Sequence, residues 1–147
     1  MRRLLACLLL AALACGCRRA PMPMAAPKTG KDLYMANCAV CHDTDGGGIR
    51  FEGRSYPAVN HSQWVDGPPE RLVAIILDGM QGGPTDGMMP GWKTVLSDAQ
   101  AAMLATWLRE RDGKEPVTAV EVSAVRSRTQ VRNAPWTVED LRNLRLP

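Results

Sequence analysis

Two thiols and an imidazole stand together in the run Cys38-Ala39-Val40-Cys41-His42. Thiols at this spacing can form a redox disulfide, hold a soft or borderline metal, or add to the double bonds of an organic group. A redox dithiol of this kind belongs in a βαβ setting, and the hydrophobic pattern around it offers none. A closed zinc site needs four ligands, and after these three only His61 is left as a strong one. Copper is the serious alternative, because thiolate and thioether ligands select Cu(I) and the chain has 8 Met. C-x-x-C-H reads best as a covalent c-type haem attachment site. Cys38 and Cys41 each add to one vinyl group of the porphyrin, and His42 then projects onto the iron from the proximal side.

A sixth ligand has to come from the opposite face. Asp86-Gly87-Met88-Met89-Pro90-Gly91-Trp92 offers two thioethers between two predicted helices, and a thioether ligand raises the reduction potential. Pro90 biases the residue before it towards an extended conformation, and neighbours in an extended stretch project to opposite sides. Met89 is therefore the expected ligand. Met88 would cover the haem edge, where a flexible thioether packs well, although the doubled methionine leaves the register open. Met80 and Met103 sit in helix-like segments and read as core. His61 would give a bis-histidine iron instead. An iron closed by His42 and Met89 suits electron transfer and not the binding of oxygen or peroxide.

Short helices with long loops must position these groups. Lys31 to Cys38 reads as a helix carrying Leu33 and Tyr34. Gly46-Gly47-Gly48 forces a loop, either a flexible one or one whose bare backbone passes close to a flat ring. Pro68 and Pro69 start a helix with the apolar stripe Leu72, Val73, Ile75, Ile76 and Leu77, ended by Asp78-Gly79. Ser97 and Gln100 form a capping box for a helix that stops at Gly113, with Ala99, Met103, Trp107, Ala102, Leu104 and Leu108 as its apolar face. Thr118 with Glu121 and Thr137 with Asp140 cap two further helices, carrying Val122 and Val125 and then Leu141 and Leu144. Strand periodicity is almost absent. The predicted fold class is all-α.

The chain is 147 residues long, 46% hydrophobic and 22% charged, an ordinary globular mixture for one domain with appendages. A net charge of +3 with no basic block argues against nucleic-acid binding. Arg2 and Arg3 followed by the apolar run Leu4–Ala14 are too short to span a bilayer and suit a signal segment. Small and apolar residues directly before Cys15 and Cys17 fit a bacterial lipidation site, so residues 1–16 are expected to be a leader with the mature start at Cys15 or Cys17. Residues 17–27 are a Pro-rich tether, residues 28–113 the haem domain, and residues 114–147 an extension packed on that domain or on a partner. Residues 28–113 carry net −3 and residues 114–147 net +2. A small exported domain with only 5% aromatic residues also needs a staple, which a covalent porphyrin supplies.

Gly30-Lys31-Asp32-Leu33-Tyr34, Cys38-Ala39-Val40-Cys41-His42, Met89-Pro90 and the helix from Leu96 to Leu108 together resemble the class I c-type cytochromes, over about 85 residues. The resemblance implies helices around one covalent haem c, the first and last helices of the domain crossing at Gly30 against Trp107. It implies a proline carbonyl, for which Pro57 is the candidate, fixing the proximal His42, and it makes Met88 and Trp92 further haem-pocket candidates. Trp64-Val65, Pro69-Glu70-Arg71-Leu72, Pro116-Val117-Thr118 and Pro135-Trp136-Thr137 look like small cytochromes that serve periplasmic dehydrogenases or oxidases. The expected role is one-electron transfer, without catalysis, between a donor dehydrogenase and an acceptor oxidase or reductase in the periplasm. The alternatives are a peroxidase-like haem subunit and an exported copper-binding protein.

Overall fold

The computed structural model describes residue 27 and residues 29–82 and 87–144. The leader, the lipid-site candidates Cys15 and Cys17, nearly all of the tether, and Asp86 lie outside the described residues. Helices dominate: α1 (Gly30–Asn37), α2 (Ala39–His42), α3 (Gln63–Asp66), α4 (Pro69–Asp78), α5 (Asp98–Glu110), α6 (Ala119–Arg128) and α7 (Val138–Asn143). Among the described residues no helix is long and apolar enough to cross a membrane.

Local chemistry explains where the helices begin. Reciprocal capping boxes open four of them, at Thr29/Asp32, Ser97/Gln100, Thr118/Glu121 and Thr137/Asp140; each satisfies two backbone donors that a helix start would leave free. Pro69 at the first position starts α4, where no N–H is needed, and Gly79 ends it at φ 81°.

Helix α1 crosses α5, while α4 and α6 pack against α5 and against each other. The crossing is close at Gly30. A Cβ there would run into the carbonyl of Met103 and lie 2.5 Å from Trp107 Cβ. Helix α4 is buried from Leu72 to Asp78, all round rather than along one stripe, because α6 covers the face that α5 leaves open. On α5 the buried set is Ala101, Ala102, Leu104, Ala105, Leu108 and Arg109, whereas Ala99 and Met103 are exposed. The apolar face is thus rotated from the one predicted, and Met103 is not core. Two partners set that face, one on each side of α5, where periodicity alone assumes one. Val117, Val122, Val125, Trp136 and Leu141 are also buried in the same cluster.

The loops contain two small antiparallel ribbons that the sequence did not suggest. Strand β1 (Ile49–Phe51) pairs with β2 (Arg54–Tyr56), and β3 (Met80–Gln81) pairs with β4 (Met88–Met89). Pairs of two or three residues leave no room for a detectable period of two.

Candidate functional site

The Cys38–His42 segment is one tight turn seated on the end of α1. The Cys38 N–H donates to the Tyr34 carbonyl at 2.8 Å, and the N–H groups of Cys41 and His42 donate to the Cys38 carbonyl at 3.0 and 2.9 Å. This places the two thiols on one helical turn, half-buried and not joined in a disulfide. Burial, with a smaller contribution from Cys41, pushes the Cys38 thiol up to about 11. It is a neutral thiol at neutral pH, unlike the low-pKa thiolate of a redox-active cysteine.

Beneath the turn lies Tyr34, a residue with a role that the sequence did not reveal. It is fully buried, and its hydroxyl donates to the carbonyls of Asp43 at 2.7 Å and His42 at 3.2 Å. Its ring packs on Trp107 with centroids 4.7 Å apart. Burial first, and then the neighbouring Cys38, raise its hydroxyl to about 12, so it stays a donor. Nothing separates such a tyrosine from an ordinary core residue in the sequence, because its acceptors are carbonyls.

The His42 ring is held from the side. Its Nδ1 lies 2.8 Å from the Pro57 carbonyl. A carbonyl only accepts, so the proton sits on Nδ1 and the Nε2 lone pair is left for a metal. Pro57 is carried to this place by the glycine loop. Gly48 stands at φ 78°, its N–H donates to the His42 carbonyl at 3.0 Å, and a Cβ on it would fall 2.5 Å from the Tyr56 carbonyl and 2.7 Å from the Ala58 nitrogen. The bare backbone of this loop is therefore required by close approach to the Tyr56–Ala58 chain.

Met89 is half-buried and packs against the core cluster, while Met88 beside it is 71% exposed. Their opposite directions follow from their strand: Met89 is paired with Met80, and Met88 with Gln81. Trp92, half-buried, starts the return to the core. Its N–H donates to the Ile76 carbonyl and that of Lys93 to the Leu77 carbonyl, both at 2.9 Å. Met80 is half-buried against the core. His61 is held by Asp112. At φ 52°, its N–H donates to Asp112 at 2.8 Å and its Nδ1 lies 3.0 Å from the other oxygen of that carboxylate. Asp66 completes a group whose ligand atoms lie within 4.8 Å of one another, with the Lys114 ammonium 3.7 Å from Asp66.

Sequence comparison shows the family. The family model described as "Cytochrome C oxidase, cbb3-type, subunit III" matches residues 25–108, more than half of the chain. The chain belongs to this family of c-type cytochromes. The resemblance to class I cytochromes holds. Similar curated proteins include the gluconate 2-dehydrogenase cytochrome c subunit of Pantoea cypripedii, 32% identical over an alignment of 112 positions that covers 67% of this chain and 24% of that one. The cytochrome c subunit of the quinone alcohol dehydrogenase of Gluconobacter oxydans is 29% identical over an alignment of 119 positions that covers 74% of this chain and 24% of that one. The cbb3-type cytochrome c oxidase subunit FixP of Rhizobium meliloti is 31% identical over 86 residues, 58% and 28%. The chain thus spans about a quarter of the length of these relatives.

Membership implies covalently bound haem c, and the residues present fit it. Two thiols not joined in a disulfide share a turn with an imidazole whose Nδ1 is already engaged, and a half-buried thioether is carried on a separate ribbon.

Proposed function

We propose that this chain is a monohaem c-type cytochrome that passes single electrons between proteins. In this reading Cys38 and Cys41 would hold the haem covalently, and His42 and Met89 would ligate its iron. The observation that carries it is the 2.8 Å bond from His42 Nδ1 to the Pro57 carbonyl, within the turn that bears both thiols. That bond fixes the tautomer, orients the ring, and makes Nε2 more basic. Bound haem supplies the one-electron iron couple. Tyr34 holds the backbone beyond His42, Pro57 holds the ring, and the ribbon of Met80 and Met89 keeps a thioether directed inward. Such fixed positions limit the rearrangement that accompanies a change of charge.

The relatives named as subunits of dehydrogenases and of an oxidase support a donor dehydrogenase and a respiratory acceptor as partners. The leader and Cys15 or Cys17 support export to the periplasm and a lipid anchor. A peroxidase would need an open iron face with a distal base. Reduced-minus-oxidised spectra with and without carbon monoxide test the reading: an iron closed by His42 and Met89 leaves the reduced spectrum unchanged by the gas. A carbon monoxide complex in the untreated protein would contradict it and favour the peroxidase-like subunit.

A further inference from the structure

The segment after Gly113 grips the stretch that carries Met89 from both sides. Upstream of the methionine, the Trp136 N–H donates to the Gly79 carbonyl at 3.0 Å and the Gln81 N–H donates to the Trp136 carbonyl at 2.8 Å. Trp136 thereby bridges to Met80 in parallel, and Met80 pairs on its other side with Met89. Three backbone segments lie side by side, and the outermost belongs to the C-terminal arm. Downstream, Arg126 of α6 donates to the Lys93 carbonyl at 2.6 Å and the Leu96 carbonyl at 2.8 Å. The Lys93 ammonium reaches the Arg132 carbonyl at 2.6 Å and the buried Asp78 carboxylate at 2.7 Å. The Trp136 ring is itself buried beneath the Arg132 guanidinium, 3.7 Å away.

Without the arm the Met89 stretch would hold to the core through a ribbon of two residue pairs, the packing of Met89, the two amide bonds of Trp92 and Lys93, and the Lys93 ion pair with Asp78. A two-stranded ribbon is marginal by itself in water, and segments with few buried contacts open locally far more readily than the whole protein unfolds. The arm adds five hydrogen bonds between the two sides, two of them from a guanidinium. On the proposed His42/Met89 ligation, we infer that the C-terminal arm is the lock on the sixth ligand. Trp136 and Arg126 are positioning residues that set how often Met89 leaves the iron.

The test uses the full-length ferric holoprotein and the rate at which added imidazole displaces the thioether, read as loss of the thioether-to-Fe(III) charge-transfer band. Trp136→Ala, which removes the buried ring that seats the paired backbone, and Arg126→Met are each expected to speed entry at least tenfold, while Trp136→Phe, which keeps a buried ring, stays within about threefold of the parent. Thr29→Ala removes the α1 cap and lowers overall stability without touching the arm, so it should leave the entry rate unchanged. Entry at the parental rate in both arm variants, or equal acceleration by Thr29→Ala, would overturn the lock. Met89→Ala separates the two levels. If it keeps the band, the ligand assignment fails and takes the lock with it; if it abolishes the band while the arm variants behave as the parent, only the lock fails. Should the variants not mature, amide exchange in the parent decides. The amides of Gln81, Trp136 and Lys93 are expected to open with those of α6 as one unit, and independent, faster exchange of Gln81 and Lys93 would overturn the proposal.

Discussion

Arg109 offers a strong energetic test of the packing. Its side chain is 6% exposed and reaches three carbonyls, those of Val65 at 2.7 Å, Gly67 at 2.8 Å and Glu115 at 3.0 Å. It thereby ties α3 and the start of the C-terminal arm to α5. Arg109→Met keeps much of the apolar stem and removes every donor. The buried Val65 carbonyl then bears the desolvation cost of an unpaired acceptor, about 1–3 kcal/mol, and the two part-buried carbonyls lose net bonds of about 0.5–1.5 kcal/mol each. Relief of the guanidinium's own desolvation offsets part of this, and about 3 kcal/mol remains, roughly a hundredfold in the folding equilibrium. With a urea slope of about 2 kcal/mol/M, the midpoint falls by about 1.5 M. Arg109→Lys should fall between the two, because one ammonium cannot span three acceptors held by a planar fork. Urea titration followed by far-ultraviolet circular dichroism measures both. A midpoint for Arg109→Met within about 0.3 M of the parent would refute the role assigned to this residue.

Gly48→Ala should push the Tyr56–Ala58 chain outward and weaken the Pro57 bond to His42; a less basic imidazole favours Fe(II), so the midpoint potential in a redox titration should rise, and a fall would contradict the geometry. Met88→Ala should leave the thioether-to-Fe(III) band in place with little change of potential, and loss of that band would move the ligand from Met89 to Met88. The backbone and then the hydroxyl of Thr118 hold the Glu121 carboxyl below its ordinary 4.5. A depressed carboxyl adds stability above its unfolded pKa that is lost as the pH falls through its folded one. Urea midpoints for Glu121→Gln should accordingly fall less steeply than the parent's below about pH 4.5, and parallel curves would exclude the contribution.

Local interactions were the legible part. The Cys38–His42 run declares its chemistry because the spacing of two thiols and an imidazole is the chemistry. Helix starts at Ser97, Thr118 and Thr137 show because a capping box spans four residues. What stayed hidden depends on residues far apart in sequence. Arg109 and Arg126 look like solvated charges on helices until the carbonyls of Val65 or Lys93 are brought to them. The face of α5 depends on covering from both sides, so periodicity assigns the exposed Met103 to the core. Gly48 required the Tyr56–Ala58 chain to be seen beside it. The Asp112 carboxylate that holds His61 lies fifty-one positions further on, so the sequence gives no local sign of the pair.

Covalent haem at Cys38 and Cys41 is the central claim, and acid–acetone extraction of protein made in an export-competent host tests it most directly. The colour should stay with the precipitated chain, and Cys38→Ala/Cys41→Ala, made in the same host, should yield no chain-bound colour. Colour passing into the solvent from the parent protein, or colour retained by the double variant, would contradict the attachment.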